Sequence, residues 1–307
     1  MTIAWEIADD VAEAQAEGRG VVALESTLVT HGLPWPDNLE TARQSEDAVR
    51  QSGAVPATIA ILGGRIRVGL SAEDLERIAR SQEILKAGRR DLGMAVARGL
   101  DAGTTVSATL WIARSCGLGV MATGGLGGVH RDAATTFDVS TDLDELARSD
   151  GSLVVCSGFK SILDLPATLD ALETRGVAIV GYRTGELAAF TEVASGLSLE
   201  ARVESPEEAA ALVEAHRSLR LPGAVILAQP VVETDAVRRE VMQAALDVAL
   251  EEARVQRVSG KAVTPFLLAH IRRTTGGQSL RANRSLIVAN ARLAGQIAAS
   301  LQPRPGA

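Results

Sequence analysis

A lysine follows an apolar run in the middle of the chain, at a place where an amine nucleophile could arise. The run is Leu153–Cys156, and Ser157-Gly158-Phe159-Lys160 follows it before a helical pattern. The pattern extends towards Arg175, with a break or a fresh start near Leu165 because of Pro166. If that helix begins near Gly158, the positive helix end and partial burial both disfavour the ammonium form of Lys160. Such an amine attacks a sugar aldehyde and forms a covalent intermediate. The alternative is a surface lysine whose stem lies over the helix start.

A candidate acid follows another apolar run near the amino terminus. Glu25 comes directly after Val21–Leu24 and stands beside Ser26 and Thr27. In an apolar neighbourhood the pKa of a carboxyl group rises, which suits a general acid. A solvated glutamate in a turn is the other interpretation.

The candidate metal ligand is a carboxylate that lies between these two regions in the sequence. Asp138 stands among hydroxyl residues in residues 135–142, and a single carboxylate suits Mg²⁺ or Mn²⁺, which keep most of their waters. Asp142 is as well explained as the N-cap of a helix over Leu143–Ala147. The sequence has no HExxH, CxxC or dense carboxylate cluster, so no catalytic zinc site is expected.

Two stretches could bind an anion. Residues 124–128 (GGLGG) follow an apolar strand pattern, and glycines let backbone N–H groups approach an anion closely. They lack the Lys-Ser/Thr of a P-loop, and a tight turn explains them equally well. The second stretch has cations and hydroxyls that suit a phosphate monoester, at Lys86, Arg89, Arg90, Thr104 and Thr105. The alternative is a solvated cluster of charges at a helix start.

These residues depend on a scaffold of alternating strands and helices. Ile7, Val11 and Ala14 fit one face of a first helix, and Asn38 fits the cap of a second. Apolar strand patterns recur at 21–24, 57–62, 119–122, 153–156, 177–181 and 224–227. No linker, internal repeat or low-complexity segment interrupts them. The pattern therefore predicts a single α/β domain with a layered sheet over residues 1–307.

Composition restricts the class of protein. The chain of 307 residues is 46% hydrophobic but only 3% aromatic, so its core must consist of Ala, Val, Leu and Ile. A net charge of −7 argues against general nucleic-acid binding. Cys116 and Cys156 both lie in apolar runs and are expected to be buried thiols. No signal peptide pattern or apolar run of membrane-spanning length occurs, which favours a cytoplasmic protein without membrane contact.

Several long motifs resemble those of the pseudouridine-5′-phosphate glycosidases, also called the indigoidine synthase A-like family. They are spread over about residues 21–297 and read ALESTLVTHGLPWPDN, KAGRRDL, GTTVSAT, ATGGLGGVHRDAATTFDVSTDL, CSGFKSILD, GKAVTPFLL and SLRANRSLIVANARLA. The resemblance implies reversible cleavage of pseudouridine 5′-phosphate to uracil and ribose 5-phosphate. It also implies a three-layer α/β/α sandwich with a central, largely parallel or mixed sheet, a homotrimer, one mostly hydrated Mn²⁺ per subunit, and a possible functional coupling to a pseudouridine kinase.

The same resemblance assigns roles to individual residues. Lys160 would be the nucleophile, Glu25 the proton donor and Asp138 the metal ligand. Contacts to substrate or a place in the site wall are implied for Lys86, Val106, His130, Ser140, Thr141, Asp142 and Asn283. The chain departs from the family pattern at Phe159, where relatives carry Ala before the lysine, and this changes the packing beside Lys160.

The bond in question is a C–C bond, so the two-carboxylate scheme of O-glycosidases is a poor template. Our hypothesis is that Glu25 protonates the ring oxygen while Lys160 attacks the anomeric carbon, which opens the sugar to an imine. Lys86 and nearby hydroxyls would hold the phosphate. Two other functions stay open: an accessory enzyme in the synthesis of a blue pigment, indigoidine, and a non-catalytic sugar-phosphate sensor.

Overall fold

The computed structural model describes residues 5–258 and 263–301. Its strands are β1 (Trp5–Ile7), β2 (Val21–Leu24), β3 (Val55–Leu62), β4 (Arg65–Val68), β5 (Leu85–Ala87), β6 (Ala102–Thr104), β7 (Val120–Ala122), β8 (Leu153–Cys156), β9 (Ala178–Tyr182), β10 (Arg202–Val203) and β11 (Val225–Ala228). Its α-helices are α1 (Asp9–Ala16), α2 (Asp37–Gln51), α3 (Ala72–Arg80), α4 (Leu92–Ala97), α5 (Val106–Ser115), α6 (Ala133–Thr136), α7 (Thr141–Arg148), α8 (Leu165–Thr174), α9 (Pro206–Ser218), α10 (Arg239–Val255), α11 (Val263–Thr274) and α12 (Gln278–Ser300). A π-helical turn (Leu28–Gly32) and a 3-10 turn (Arg89–Asp91) complete the described elements.

The strands form one mostly parallel sheet with helices packed on it, which confirms the predicted α/β class. The strand order is β1-β4-β3-β2-β7-β8-β11-β9-β10, with β6 paired to β3 and β5 paired to β6. The strands from β2 through β7, β8, β11 and β9 to β10 are all parallel. Antiparallel pairing occurs where β3 meets β4 and β6. The central strands β2, β8 and β11 are buried along their whole length, as strands covered on both faces must be.

Small side chains allow the helices to approach closely, which explains how a chain with so few aromatic residues packs. A Cβ added to Gly295 on α12 would lie 2.8 Å from the Cβ of Ser52, just after α2. A Cβ on Gly20 would lie 2.3 Å from the carbonyl oxygen of Ala298. Such approaches exclude any larger residue at these points. Helix α12 is thereby fixed against α2 and the sheet, and it carries two asparagines to the site described below.

Three predictions about elements were wrong. Residues 5–7 form β1 and not the start of a helix, so Ile7 is 38% exposed, whereas Val11 and Ala14 are buried as expected. Asn38 does not cap α2 but lies inside it, where its Nδ2 donates to the carbonyl oxygens of Val29 and Ala79. The short strands β5, β6 and β10 were missed, because two or three residues carry too little pattern to identify them. Gly260 and Lys261 of the GKAVTPFLL motif lie outside the described residues.

Cys156 is buried and Cys116 half-buried, and burial raises the pKa of their thiols to about 12 and about 11. Among residues 5–258 and 263–301, no helix is long and apolar enough to cross a membrane.

Candidate active site

Three neighbouring parallel strands carry the candidate residues to one edge of the sheet. β7 lies between β2 and β8. Glu25 follows β2, Thr123 follows β7 and Ser157 follows β8. Because the strands run in the same direction, these residues emerge side by side at their carboxyl ends, where open α/β sheets bind ligands.

Backbone hydrogen bonds join the Gly-rich turn (residues 124–128) to the lysine loop (residues 157–164). Ser157 N donates to Gly124 O at 2.9 Å, Leu126 N donates to Gly158 O at 2.9 Å, and Lys160 N donates to Leu126 O at 3.2 Å. Gly158 has a φ of +72°, and a Cβ there would lie 1.9 Å from the carbonyl oxygen of Ala188. This loop conformation therefore requires glycine immediately before Phe159-Lys160.

The predicted helix start near Gly158 was wrong, whereas the fresh start near Leu165 that Pro166 indicates was correct. α8 begins at Leu165, where the side chain of Asp164 accepts a hydrogen bond from Ala167 N and Pro166 occupies the first turn. Lys160 thus lies on a loop before the helix, and the argument from the helix dipole does not apply to it. Instead the half-buried Lys160 donates from Nζ to Gly125 O at 2.7 Å. Phe159 is fully buried in the main core and anchors the backbone beside the amine.

Glu25 is buried, with 8% of its surface exposed, and is not the solvated turn glutamate of the alternative interpretation. Its Oε1 accepts a hydrogen bond from Thr123 Oγ1 at 2.6 Å, and its Oε2 accepts one from Thr27 Oγ1. Thr123 and Gly125, two residues apart, therefore contact the candidate acid and the candidate amine. The Gly-rich turn fixes these two groups relative to one another, which is more than a tight turn alone would explain.

His130 and Asp138 face each other across the loop that follows the Gly-rich turn. His130 N donates to Asp138 O at 3.1 Å, and His130 Nε2 lies 4.0 Å from Asp138 Oδ2. Burial lowers the pKa of His130; Asp138 opposes this shift, while the nearby charges of Lys160 and Lys86 favour it. His130 is therefore close enough to both lysines to respond to their charges.

A cluster of polar residues, the α5 corner (Ser107, Thr141 and Asp142), lies at the start of α5, whose first residue is Val106. The carboxylate of Asp142 accepts from Ser107 N at 3.1 Å and from Gly127 N at 3.0 Å. Thr141 Oγ1 lies 3.2 Å from Ser107 Oγ. Asp142 is therefore no helix cap but a bridge between α5 and the Gly-rich turn. The cap of α7 is Ser140, whose Oγ accepts from Asp142 N.

The predicted phosphate cluster divides into two groups. Arg89 lies at this corner: its backbone N donates to Ser107 Oγ at 3.4 Å, and its guanidinium pairs with the buried Glu145 at 3.0 Å. Thr104, by contrast, is fully buried and donates to Ile59 O at 2.7 Å, so its hydroxyl is structural. The side chain of Arg90 is 73% exposed, as the solvated alternative expects.

Helix α12 completes the site with two asparagines. Asn290 Nδ2 donates to Thr123 O at 2.9 Å and to Ser157 Oγ at 3.1 Å, so it ties the Gly-rich turn to the lysine loop. Sequence reasoning assigned Asn290 no role, although it lies seven residues after Asn283 and hence on the same helix face. The Oδ1 of Asn283 is buried without a hydrogen-bond partner among the described residues.

A cavity of about 340 Å³ lies next to the lysine loop. Its wall includes His31, Ser161, Ile162 and Asn283. Lys160 and Glu25 are not part of this wall, but the two residues after Lys160 are. The Gly-rich turn connects the two sides of the site, since Gly127 N donates to Asp142 and Gly125 O accepts from Lys160 Nζ.

The pKa of His31 tests whether the charge of Lys86 lies close to this cavity. Burial lowers its pKa from 6.5, and the charge of Lys86 lowers it further, whereas a hydrogen bond with the backbone of Ile84 opposes the shift. We expect Lys86→Met to raise the pKa of His31, measured by NMR titration of its ring protons. Arg90→Met, which removes an exposed cation from the 3-10 turn after β5, should leave that titration nearly unchanged. An equal response in both variants would contradict the proximity of Lys86.

The direction of this shift also predicts a stability change. Since the folded-state pKa of His31 lies below its ordinary value of 6.5, folding favours the neutral ring. The stability that goes with the neutral ring is present above pH 6.5 and is lost as the pH falls through the folded pKa.

The chain is similar to known proteins along nearly its whole length. The sequence family described as "Indigoidine synthase A like protein" matches residues 10–300. The pseudouridine-5′-phosphate glycosidase of Caldanaerobacter subterraneus subsp. tengcongensis is 49% identical over 296 residues, 96% of each chain. That of Herpetosiphon aurantiacus is 50% identical over 295 residues, 96% of this chain and 97% of the other.

Two solved structures are also similar. One is the prealnumycin C-glycosynthase AlnA in complex with ribulose 5-phosphate, with a TM-score of 0.89, 42% identity and 97% of each chain covered. The other is an indigoidine synthase A-like protein of Thermotoga maritima, with a TM-score of 0.88, 37% identity and coverage of 97% of this chain and 96% of that one.

Proposed function

The chain belongs to the indigoidine synthase A-like family, and on that premise we propose that it is a pseudouridine-5′-phosphate glycosidase. The reaction is the reversible cleavage of pseudouridine 5′-phosphate to uracil and ribose 5-phosphate. The relatives of about 49% identity over nearly the full chain carry that name. The single structural observation that supports the chemistry is the pair of hydrogen bonds that hold Glu25 at Thr123 and Lys160 at Gly125.

Glu25 and Lys160 take complementary parts in opening the sugar. Glu25 gives its proton to the ring oxygen, and the neutral amine of Lys160 attacks C1, so that the C1–O bond breaks as a C1–N bond forms. Uracil C5 then accepts a proton while the C–C bond to C1 breaks, and the lone pair of the lysine nitrogen forms the protonated imine. Water hydrolyses the imine, which releases ribose 5-phosphate and restores Lys160.

The α5 corner suits the phosphate. Val106 opens α5, and its backbone N–H lies at the positive end of the helix, which favours a phosphate oxygen. The next N–H, of Ser107, donates to Asp142. Lys86 adds a cation, and the hydroxyl of Thr141 lies beside Ser107. Asp142 uses both carboxylate oxygens to position Ser107 and Gly127, so its part is to hold the corner in shape. Binding energy from the phosphate then positions C1 at the amine.

The site also suits a hydrated Mn²⁺, which the family resemblance implies. The Asp138 side chain is 35% exposed and faces His130. Among residues 5–258 and 263–301, no cluster of three His, Cys, Asp or Glu side chains that could hold a metal is found. A lone carboxylate fits an ion that keeps most of its waters, as Mg²⁺ and Mn²⁺ do. Asp138 would hold the ion, which would supply positive charge beside His130.

Asp138→Asn should weaken Mn²⁺ binding by at least about tenfold, because it removes the carboxylate charge that holds the ion. Titration of the protein with Mn²⁺, followed by electron paramagnetic resonance of the free ion, measures the affinity. Asp47→Asn is the matched control, since it removes an exposed carboxylate from α2, away from this loop, and should leave the affinity nearly unchanged. Equal affinities in Asp138→Asn and the parent protein would rule out Asp138 as the ligand.

The assembly we propose is a homotrimer, as the family resemblance implies, and light scattering after gel filtration gives the subunit number directly. A pseudouridine kinase is the proposed source of substrate, since the reaction requires the 5′-phosphate.

Incubation with uracil, ribose 5-phosphate and Mn²⁺ tests the function. Formation of pseudouridine 5′-phosphate, detected by mass spectrometry and its resistance to acid hydrolysis, is the expected result. Tight binding of ribose 5-phosphate without any product would favour the sugar-phosphate sensor. A pigment precursor turned over in place of uracil would favour the accessory role in indigoidine synthesis.

A further inference from the structure

A strained residue lies on a segment that packs against the lysine loop. Phe190 has a φ of +60°, in the left-handed region where a bulky side chain is rare. Two hydrogen bonds tie this segment to the lysine loop: Phe190 N donates to Ser157 O at 2.8 Å, and Ser161 Oγ donates to Ala189 O at 3.0 Å. Backbone strain of this kind persists where the surrounding structure enforces it, and it is concentrated at functional sites. The strain at Phe190 therefore indicates a role in the adjacent site.

The ring of Phe190 lies against the Gly-rich turn at the residue that binds the lysine amine. A Cβ added to Gly125 would lie 2.6 Å from Cδ2 of Phe190 and 2.9 Å from its Cε2. The edge of the ring is therefore in direct contact with Gly125, whose carbonyl oxygen accepts the hydrogen bond from Lys160 Nζ at 2.7 Å. Phe190 thus contacts the Gly-rich turn through its ring and the lysine loop through its backbone.

The ring, and not the backbone, excludes a side chain at Gly125. The φ of Gly125 lies outside the left-handed region, so its backbone admits alanine. The carbonyl oxygen of Gly158 would lie 3.5 Å from the added Cβ, which is an ordinary contact. Phe190 is 4% exposed and is packed in the main core, so its ring has little room to withdraw. The contact therefore fixes the position of Gly125.

We propose that Phe190 is a positioning residue for the covalent step: its ring holds Gly125 in place, and the carbonyl group of Gly125 directs the amine of Lys160. This carbonyl oxygen holds one hydrogen of the amine, which limits the directions that the nitrogen lone pair can take. A displacement of about 1 Å at a reacting group can cost about 10²-fold in rate. The inference rests on the proposed function, since it concerns the amine that forms the imine.

The test creates and then removes a clash at this contact. Gly125→Ala places a methyl group where the ring lies, so the turn must shift, and kcat for cleavage of pseudouridine 5′-phosphate should fall at least about tenfold. Phe190→Ala leaves Gly125 without support and should also lower kcat. The double variant Gly125→Ala/Phe190→Ala has room for the methyl group, so its kcat should exceed that of Gly125→Ala at least about threefold. Thus a substitution that is harmful alone becomes favourable beside the other.

Two further measurements distinguish positioning of the amine from a general effect on the fold. KM should change less than about threefold in these variants, because the loss falls on the covalent step and not on uniform binding of the substrate. The rate at which borohydride traps ribose 5-phosphate should follow the same order as kcat, since it reports formation of the imine. Phe190→Gly provides the same comparison if Phe190→Ala does not fold, because glycine adopts a φ of +60° without strain.

Leu75→Ala is the control for the loss of a buried side chain. Leu75 is 1% exposed and lies on α3, which packs against α2 and the π-helical turn. Leu75→Ala should leave kcat nearly unchanged in the folded protein, and Gly125→Ala/Leu75→Ala should be no faster than Gly125→Ala.

The outcomes separate this inference from the proposed function. An unchanged kcat in Gly125→Ala, or a double variant no faster than Gly125→Ala, would overturn the inference and leave the proposed function standing. No cleavage by the parent protein would overturn both. A double variant that recovers kcat and the trapping rate at an unchanged KM would establish that the ring of Phe190 acts on Lys160 through Gly125.

Discussion

Lys160→Ala and Lys160→Arg should each reduce turnover of pseudouridine 5′-phosphate by at least about 10⁴-fold. Both should also abolish the covalent adduct that borohydride traps with ribose 5-phosphate. The reason is that the imine needs a nitrogen lone pair. Arginine keeps the positive charge but stays protonated in proteins, so it offers no nucleophile. A residue that only attracted the substrate by its charge would tolerate arginine, and this difference separates covalent from electrostatic roles.

The composition of the chain makes the trapping experiment unusually clear. The sequence contains three lysines, Lys86, Lys160 and Lys261, among 31 basic residues. Peptide mapping of the reduced adduct therefore has few alternatives to distinguish. Arg254→Ala, which removes a cation from the exposed face of α10, should trap as much sugar as the parent. An adduct on Lys86 or Lys261, or full turnover in Lys160→Ala, would refute the assignment.

The position of Lys160 shows which parts of the site a sequence pattern can predict and which it cannot. The apolar run of β8 predicts a strand and hence a loop at its carboxyl end, and this was correct. Pro166 also indicates the helix start near Leu165, which was correct. The conformation of the loop between the strand and this helix was not predicted, because contacts that are distant in sequence determine its shape. The backbone of Gly158 packs against the carbonyl group of Ala188, and Lys160 N donates a hydrogen bond to Leu126 O. These contacts depend on which strands are neighbours, and periodicity does not specify that.

Asp142 illustrates the same limit for a single side chain. The sequence allowed a helix cap, and the family pattern implied a substrate contact. In the structure its two oxygens accept from the backbone of Ser107 and Gly127, which lie 35 and 15 residues away.

Asn290 is the opposite case, because the sequence contains a pattern that could have identified it as a site residue. A polar residue seven positions from Asn283, on a helix rich in alanine, indicates a shared face that meets polar partners.

Glu25→Gln should lower kcat by about 10²–10⁴-fold, the usual contribution of a general acid. Glutamine keeps the size of the side chain but has no proton to give to the ring oxygen. Ring opening should therefore become the slow step, and borohydride trapping of ribose 5-phosphate should slow with it. Trapping of glycolaldehyde phosphate, a two-carbon aldehyde that forms no ring, should change little, because Lys160 needs no ring-opening proton there.

The matched control for this substitution is Glu46→Gln. Glu46 is as buried as Glu25 and likewise accepts a hydrogen bond from a threonine, Thr58 Oγ1 at 2.6 Å, but it belongs to α2. A general cost of replacing a buried carboxylate would appear in both variants, whereas loss of the acid should appear only in Glu25→Gln. Equal slowing of both aldehydes in Glu25→Gln would mean that Glu25 positions Lys160 and does not supply the proton. The ratio of the two trapping rates thus decides whether the carboxyl group held by Thr123 acts as an acid.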